Sequence, residues 1–317
     1  FAADDVGDAK IDVVDHRRGR PVDVEMDALL PAPDALLQAC GDDAGLIVLA
    51  HLYGGRGSVE AIAARCSAPD RLIVEDCAQA FDGTLRLSPG ADVALYSFGP
   101  IKTATALGGA VGLFRDKALA DRVQRRMADW PALGDGWFLR RALKYAALKL
   151  IGTPPIFGLF MALLTRLADD PEAVIGSLAR GFAGLPIHEA VRHRPPPRLL
   201  RLLARRLASW RMPADVTGPM LDRLSRHLTV PGLAARPAHW WLAPILIPKA
   251  ERLIATLRSL GYDATRGTTS MRALVDESGN TPEIAARLIA SVVYLPKPRD
   301  AAAAERLNAA VERSLGE

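Results

Sequence analysis

Three short apolar runs between residues 72 and 114 constrain the fold most strongly, because each meets polar residues or glycines at its end. The first run ends at Asp76, the second, residues 91–96, ends at Ser97, and the third, residues 110–114, follows a Gly-Gly pair. Short apolar runs with polar ends are typical of buried strands that carry functional groups at their carboxyl ends. Because ligands bind at that edge of open α/β sheets, this segment predicts a ligand site.

The upstream sequence has a similar rhythm of strand, loop and helix. Residues 45–50 form a continuous apolar run of strand length, and residues 58–66 have a helical pattern with Ser58 as the predicted N-cap. We expect a further strand at 10–15 and a helix at 23–39 that is interrupted by two prolines. The alternation of strands and helices predicts a parallel sheet with right-handed crossovers.

This rhythm ends after Asp116, and residues 117–211 are rich in leucine, alanine and arginine. We predict several helices there. The most apolar stretch, residues 148–167, is interrupted by Lys149, Gly152 and two prolines. No uninterrupted run is long enough to span a bilayer, so we expect a buried helix.

The C-terminal third has the pattern of a second, smaller α/β unit. Two strands and two helices are predicted in the order strand, helix, strand, helix, at residues 242–247, 249–260, 291–295 and 300–315. Gly261 is expected to end the first of these helices in a left-handed conformation. The whole pattern predicts an α/β protein with a large domain (1–125), a helical connecting region (126–211) and a small domain (212–317).

Three arginines in the middle region, Arg198, Arg201 and Arg205, lie along one face of a predicted helix with leucines opposite. One interpretation is a solvent-exposed arginine face, and the other is an interfacial helix that contacts anionic lipid. Nucleic-acid binding is not predicted, because the basic residues lack interleaved aromatic residues and no known module is present.

The composition is that of an ordinary globular protein. Half of the 317 residues are hydrophobic, and the net charge is +4. The three cysteines show no CxxC pairing, so the sequence indicates neither a disulfide framework nor a zinc site. We expect a reducing, cytoplasmic setting. Cys77 is expected to be a small packed residue, since nothing nearby suggests a lowered pKa for its thiol.

Four polar residues lie on or just after the predicted strand ends, namely Asp76, Gln79, Ser97 and Lys102. A lysine that bonds to a carbonyl carbon must be desolvated or placed near positive groups, so that its neutral amine is available. An aspartate at a strand end can keep a pyridinium nitrogen protonated, and a serine near a turn can donate to a phosphate. Together these roles describe a pyridoxal phosphate (PLP) site.

Several motifs in a fixed order carry a resemblance to a known family. The motifs are HLYG (51–54), EDCAQAFDG (75–83) and SFGPIKTATALGGAV (97–111), followed by weaker similarity in HWWLAPILI and LRSLGYDATRG. They resemble the DegT/DnrJ/EryC1/StrS aminotransferases. The resemblance implies the PLP-dependent transferase fold of type I, with an incomplete large domain of parallel or mixed sheet, a helical middle and a small α/β domain. It also implies a homodimer, because sites of this fold are commonly completed across a dimer interface.

Carried over to this sequence, the resemblance implies roles for five residues. Lys102 would form the Schiff base and shuttle the proton between Cα and C4′. Asp76 would pair with the pyridine nitrogen, Gln79 would contact the ring or its 3-oxygen, and Ser97 would hold the phosphate. His51 lies at a strand end near the pocket, where a cofactor contact and a structural role both remain open. No metal is expected.

Lysine at position 102 favours transamination, because relatives that dehydrate sugars at C3 carry histidine there. The resemblance implies that an amino donor, expected to be glutamate, converts PLP to PMP, which then aminates a keto-sugar that is expected to be nucleotide-linked. The alternative is an impaired or non-catalytic relative that docks on a membrane or a partner. A third possibility is a PLP enzyme of a lipid-linked or cell-surface glycan pathway that works near the membrane.

Two features depart from the family pattern. Leu107 precedes Gly108 and Gly109, where the family usually has an acidic residue. The family also has an upstream Gly-Thr/Ser-Ala turn for the phosphate and an aromatic residue that stacks on the ring, and neither occurs before His51. We therefore expect Phe1 to lie near a truncation point.

Overall fold

A computed structural model describes most of the chain. The described residues are 20–41, 44–151, 153, 156, 191–235, 239–248, 250–266, 273–275, 279 and 281–316. The predicted strand at 10–15 lies outside these residues, as does most of the apolar stretch 148–167.

The larger sheet has four strands that follow one another in space as in sequence. They are β1 (Leu46–Ala50), β2 (Leu72–Asp76), β3 (Val93–Ser97) and β4 (Ala110–Phe114). The first three are parallel, as predicted, whereas β4 runs antiparallel to β3. The sheet is therefore mixed, which confirms the expected parallel or mixed sheet, while the strand–helix rhythm predicted the parallel pairing of the first three strands only. Residues 98–109 contain no helix, and a parallel pairing would need a helical crossover of about that length or more.

One face of this sheet is covered by α1 (Pro33–Cys40) and α2 (Glu60–Cys66). The helix predicted at 23–39 is confirmed only from Pro33 onwards, because proline fits the first turn of a helix but not its interior. The predicted N-cap is wrong, since Val59 caps α2 and the Ser58 hydroxyl instead donates to Glu60 at 2.6 Å.

The opposite face of the sheet leaves apolar side chains exposed. Its exposed members are Leu46, Val48, Leu72 and Leu95. Alternation along β1 produces this pattern, since Ile47 and Leu49 point to the covered face. The larger sheet is therefore packed on one side only within the described part of the chain.

The helices predicted in the middle region are confirmed where the chain is described, as α3 (Lys117–Ala128), α4 (Asp135–Ile151) and α5 (Pro197–Ser209). Helix α5 packs on the turn before β4. A Cβ added at Gly109 would lie 2.9 Å from a methyl group of the buried Leu199. Among the described residues, no helix is both long enough and apolar enough to cross a membrane.

The C-terminal part contains the two predicted strands and two predicted helices in the predicted order, together with two helices that were not predicted, Thr217–Leu224 and Glu283–Ser291. Its elements are α6 (Thr217–Leu224), β5 (Ala243–Leu246), α7 (Ala250–Ser259), α8 (Glu283–Ser291), β6 (Val292–Leu295) and α9 (Ala301–Gly316). Strands β5 and β6 form an antiparallel pair. As predicted, Gly261 follows α7 with a left-handed φ of +84°.

The two parts of the chain share a core. Leu29 and Tyr53 belong to the apolar cluster formed mainly by residues after 216. The Asp23 carboxylate accepts the backbone N–H groups of Ile284 at 2.7 Å and Ala285 at 3.0 Å, which caps the start of α8. The three-part division of the chain stays a prediction, and these contacts tie its first part to its last.

Candidate functional site

The carboxyl ends of β1, β2 and β3 lie side by side. Ala50 is the partner of Asp76 between β1 and β2, and Asp76 is the partner of Leu95 between β2 and β3. The backbone N–H of His51 donates to the Asp76 carbonyl at 3.0 Å, which extends the ladder by one residue. Residues that end these strands therefore meet at the edge of the sheet where ligands bind in α/β folds.

Asp76 and Gln79 lie in the loop that leaves β2. The half-buried Asp76 carboxylate accepts the backbone N–H of Ala78 at 2.9 Å, which fixes its orientation. The buried amide of Gln79 accepts the backbone N–H of Tyr53 at 3.0 Å and thereby joins this loop to the loop after β1. Their predicted cofactor contacts remain predictions.

Ser97 and Lys102 flank the turn that follows β3. A Cβ added at Gly99 would lie 3.8 Å from Lys102 Cγ and 3.9 Å from Ser97 Oγ, so both side chains border the same space. The Lys102 ammonium nitrogen lies 4.6 Å from the centre of the Trp241 ring. The indole N–H of Trp241 donates to the Ile101 carbonyl at 3.0 Å, which ties the C-terminal part to the lysine loop.

A cleft of about 380 Å³ opens beside Lys102. The residues that line it are Lys102, Ala104, Thr105, Arg206, Ser209, Trp210 and Arg211. Arg206 and Arg211 come from the end of α5 and the residues after it, so the helical middle contributes directly to this cleft. Three cations, two hydroxyls and no carboxylate in the lining favour an anionic ligand.

Glu75 is fully buried beside these residues, and no sequence pattern assigned it a role. Its carboxylate accepts hydrogen bonds from Arg56 at 2.9 Å, from the Ser88 hydroxyl at 2.8 Å and from His51 Nε2 at 3.0 Å. Burial by itself would raise the pKa of Glu75, but the hydrogen bonds from His51, Ser88 and Arg56 lower it to about 2. The carboxylate is therefore ionised, and it links β2 to the loop that follows β1 and to the Ser88 loop that precedes β3.

This network gives His51 a structural partner. Because an ionised carboxylate can only accept, the Nε2 atom of His51 carries the proton in this hydrogen bond. Its Nδ1 atom is buried and has no hydrogen-bond partner among the described residues. The cofactor contact proposed for His51 stays a prediction.

His51, Glu75 and Cys77 also place possible metal-ligand atoms within 4.8 Å of one another. The oxygens of Glu75 are already occupied by hydrogen bonds from Arg56 and Ser88. Burial raises the pKa of the Cys77 thiol to about 12, so this group is a neutral thiol near neutral pH. This cluster is a hydrogen-bonding network, and Cys77 packs as a buried neutral thiol.

Comparison with known proteins identifies the fold and a family match over the first part of the chain. Residues 13–129 match the DegT/DnrJ/EryC1/StrS aminotransferase family. The L-glutamine:2-deoxy-scyllo-inosose aminotransferase of Streptomyces fradiae is 29% identical over 117 residues, which cover 36% of this chain and 28% of that protein. The chain therefore matches less than a third of the length of this curated relative.

Solved structures match over a much larger part of the chain. The sugar aminotransferase CalS13 from Micromonospora echinospora has a TM-score of 0.58 and 19% identity, covering 92% of this chain and 73% of its own. The E. coli GDP-4-keto-6-deoxy-D-mannose-3-dehydratase with bound hydrated PLP has a TM-score of 0.57 and 14% identity, with coverage of 92% and 73%.

The fold is therefore that of the PLP-dependent transferases of fold type I. Within this class, the resemblance to the DegT/DnrJ/EryC1/StrS aminotransferases is confirmed over residues 13–129, the segment that contains Asp76, Gln79, Ser97 and Lys102.

Proposed function

We propose that the protein is a PLP-dependent aminotransferase that moves an amino group to a keto-sugar. The finer proposal is that the donor is glutamate and that the sugar is nucleotide-linked. The observation that carries it is the position of Lys102 in the turn after β3, beside a cationic cleft and next to Ser97. The family match over the same segment supports it.

The residues of this site fit PLP. Arg206 and Arg211, with the hydroxyls of Thr105 and Ser209, make the cleft beside Lys102 suitable for the phosphates of cofactor and substrate. Asp76 supplies a carboxylate at the neighbouring strand end, as a protonated ring nitrogen requires. The buried Glu75 network holds the loops around it in place.

The proposed mechanism assigns each side chain one task. When bound, PLP supplies an electron sink for the negative charge that develops at the carbon carrying the amino group. Lys102 takes up and returns a proton at its Nζ atom, and Asp76 keeps the ring nitrogen protonated. Ser97 donates a hydrogen bond to the phosphate. The Trp241 ring lies against the Lys102 ammonium group and orients it by a cation–π contact.

Lysine at position 102 supports transamination over dehydration. A dehydratase and an aminotransferase both share this fold, so the fold does not separate the two reactions. Lysine can both bond to the cofactor aldehyde and move a proton to and from the substrate carbon, whereas histidine can do only the second.

We also propose a cytoplasmic homodimer that acts in polysaccharide or other glycan biosynthesis. The three cysteines are free and buried, which suits a reducing compartment. The exposed apolar face of the larger sheet is a surface that a second subunit could cover. The competing possibility is a non-catalytic relative that only docks on a membrane or a partner.

Absorption spectroscopy tests the proposal directly. Purified protein with added PLP should show a band at the violet edge of the visible range that borohydride bleaches and fixes to the chain. Lys102→Ala should abolish this band and lower kcat by about a thousandfold, the size typical of a lost acid–base group. The matched control is Lys117→Ala, which changes an exposed lysine on α3 and should leave both unchanged.

Two results would contradict the proposal. One is the absence of the band in the wild-type protein at saturating PLP. The other is cofactor that is still fixed by borohydride in Lys102→Ala. If the band is normal but no amino group moves from glutamate to any nucleotide-linked keto-sugar, PLP binding is supported and the proposed donor and substrate class are rejected.

A further inference from the structure

Helix α4 has an apolar stripe that nothing in the described part of the chain covers. The helix has no buried residue over its 17 positions. Leu139, Leu143 and Leu150 are 54%, 61% and 59% exposed, and their spacing places them along one face. An amphipathic helix of a globular domain normally buries this stripe against the core, so the exposed leucines indicate a contact outside the described residues.

The surface around these leucines is strongly basic. Helix α4 has four basic residues and one acidic residue, Asp135. Helix α5 has four arginines and no acidic residue. The two helices thus carry a larger positive charge than the whole chain, whose net charge is +4. Asp135 forms an ion pair with Arg198 at 2.9 Å, and the two helices contain no other acidic residue.

An open groove of about 560 Å³ runs between the two helices. It is lined by Arg198, Arg201 and Arg205 together with Phe138 and Leu202. The groove therefore has a cationic rim and an apolar floor. Phosphate groups suit the guanidinium rim, and hydrocarbon suits the floor and the neighbouring leucines.

We propose that α4 and α5 dock on the surface of an anionic phospholipid membrane, with the leucines of α4 in the interfacial region and the arginines of α5 on the lipid phosphates. An anionic phospholipid surface matches both the positive charge of these helices and their exposed apolar stripe. A nucleic-acid backbone offers phosphates but no apolar surface to the exposed leucines, whereas a phospholipid surface offers both.

Docking in this way would hold the lysine loop close to the membrane. The inner face of α5 buries Leu199 and Leu203 against the Gly108–Gly109 turn. The Arg141 side chain of α4 donates to the Leu107 carbonyl in the same loop. The cleft beside Lys102 is therefore within one helix of the docking surface, which suits a substrate carried on a lipid. The docking itself needs neither PLP nor substrate, so its test is independent of the proposed activity.

Vesicle co-sedimentation tests the docking. The full chain should sediment with phosphatidylcholine vesicles that contain about 30% phosphatidylglycerol and should remain soluble with pure phosphatidylcholine. Binding should weaken as NaCl rises from about 0.05 M to about 0.5 M, because the screening length shortens. The variant Arg198→Gln, Arg201→Gln, Arg205→Gln should bind about a hundredfold more weakly, at about one order of magnitude per one to two arginines.

Two further variants keep this test specific. Arg299→Gln, Arg306→Gln, Arg313→Gln removes the same charge from exposed positions at the other end of the chain and should bind within about twofold of wild type. Leu143→Ser, Leu150→Ser keeps every arginine, including the pair with Asp135, and should also lose binding. Circular dichroism checks that each variant is folded.

Three outcomes would overturn the proposal. The first is equal binding to neutral and anionic vesicles. The second is an equal loss of vesicle binding when Arg198, Arg201 and Arg205 are replaced and when Arg299, Arg306 and Arg313 are replaced. That result would mean that binding depends on net charge alone. The third is a wild-type protein that does not bind vesicles but self-associates through Leu143 and Leu150. In that case a second copy of the chain would cover this surface.

Discussion

At the scale of single residues, the site depends on a charge that the fold has removed from water. Glu75 is fully buried, and an isolated carboxylate there would be strongly unfavourable. Arg56 and Ser88 supply donors that keep it ionised, and His51 adds a third donor to the same network. The carboxylate thus acts as a fixed anchor beneath the strand ends that carry Asp76 and Lys102.

This buried carboxylate makes stability depend on pH in a defined window. Its pKa is lowered in the folded protein from 4.5 to about 2, so its stabilising contribution is complete above about pH 4.5 and is lost as the pH falls towards 2. Urea unfolding at a series of pH values should show the free energy of unfolding falling across this range. Glu75→Gln should reduce stability by about 3 kcal/mol near neutral pH, because it leaves Arg56 without its counter-ion.

A matched control separates this buried site from ordinary surface charge. Glu251 pairs with Arg266, but its side chain is 71% exposed. Glu251→Gln should change the free energy of unfolding by less than about 1 kcal/mol and should leave the pH profile intact. Equal effects of the two substitutions would show that the Glu75 network does not hold the site together.

The sequence identified the strand-end residues but not what surrounds them. Asp76 and Lys102 follow apolar runs of strand length, which is a local pattern. The partners of Glu75 and the ring over Lys102 come from positions far away in sequence, so no local pattern connects them. One feature of the sequence indicated Glu75. The alternation of β2 points this charged side chain to the covered face of the sheet, where an apolar residue is expected.

At the scale of elements, α5 has two functions on two sides. Its leucines pack on the lysine loop, its end contributes Arg206 to the cleft, and its outer arginines line the groove beside α4. The amphipathic pattern of this helix was visible in the sequence. Its place against the Gly108–Gly109 turn was not, because helix packing depends on tertiary contacts that the pattern does not encode.

The position of Arg206 predicts a role in substrate binding. No hydrogen bond or ion pair holds its guanidinium within the described part of the chain, and it lines the cleft beside Lys102. Arg206→Gln should raise KM for a nucleotide-linked keto-sugar about tenfold, the size of one hydrogen bond to a charged group, with little change in kcat. Steady-state kinetics measures this split.

The control for this prediction is Arg122→Gln on α3, which is exposed and lies outside the cleft lining. It should leave KM and kcat unchanged. If Arg206→Gln lowers kcat and leaves KM unchanged, the arginine acts on the reacting groups and not on the substrate phosphate.

The mixed sheet shows where element prediction fails. The runs that became β3 and β4 were found in the sequence, but the direction of β4 was not, because a strand's own residues do not encode its orientation. Leu107, Gly108 and Gly109 all have positive φ angles and turn the chain back along β3. The loop that carries Lys102 therefore also reverses the sheet.

At the scale of the whole molecule, the site is closed by the contact between the first and last parts of the chain. The backbone N–H of Trp241 donates to the Tyr53 carbonyl at 2.8 Å, and the Trp241 ring lies over Lys102. Tyr53 packs edge-on against Tyr294 of β6 at 5.8 Å between ring centres. The loop after β1 thus positions the aromatic cover of the lysine.

Gly54 makes this close approach possible, and its substitution should open the site. Its φ of +100° disfavours any side chain, and an added Cβ would clash with the His239 carbonyl oxygen and lie 2.7 Å from the Trp241 nitrogen. Both obstacles are backbone atoms that cannot rotate away. We expect Gly54→Ala to reduce the free energy of unfolding by about 3 kcal/mol or more and to displace Trp241 from Lys102.

Gly261→Ala is the control that isolates backbone strain from this clash, because Gly261 has a φ of +84° but nothing within 4 Å of an added Cβ. Gly261→Ala should lower the free energy of unfolding by only about 1–2 kcal/mol. Urea unfolding gives the two free energies, and the change in tryptophan fluorescence on adding PLP reports whether Trp241 still covers the lysine. Similar stability losses and unchanged fluorescence in both variants would mean that the two parts of the chain do not meet at Gly54, and that Trp241 is not held over Lys102 by this contact.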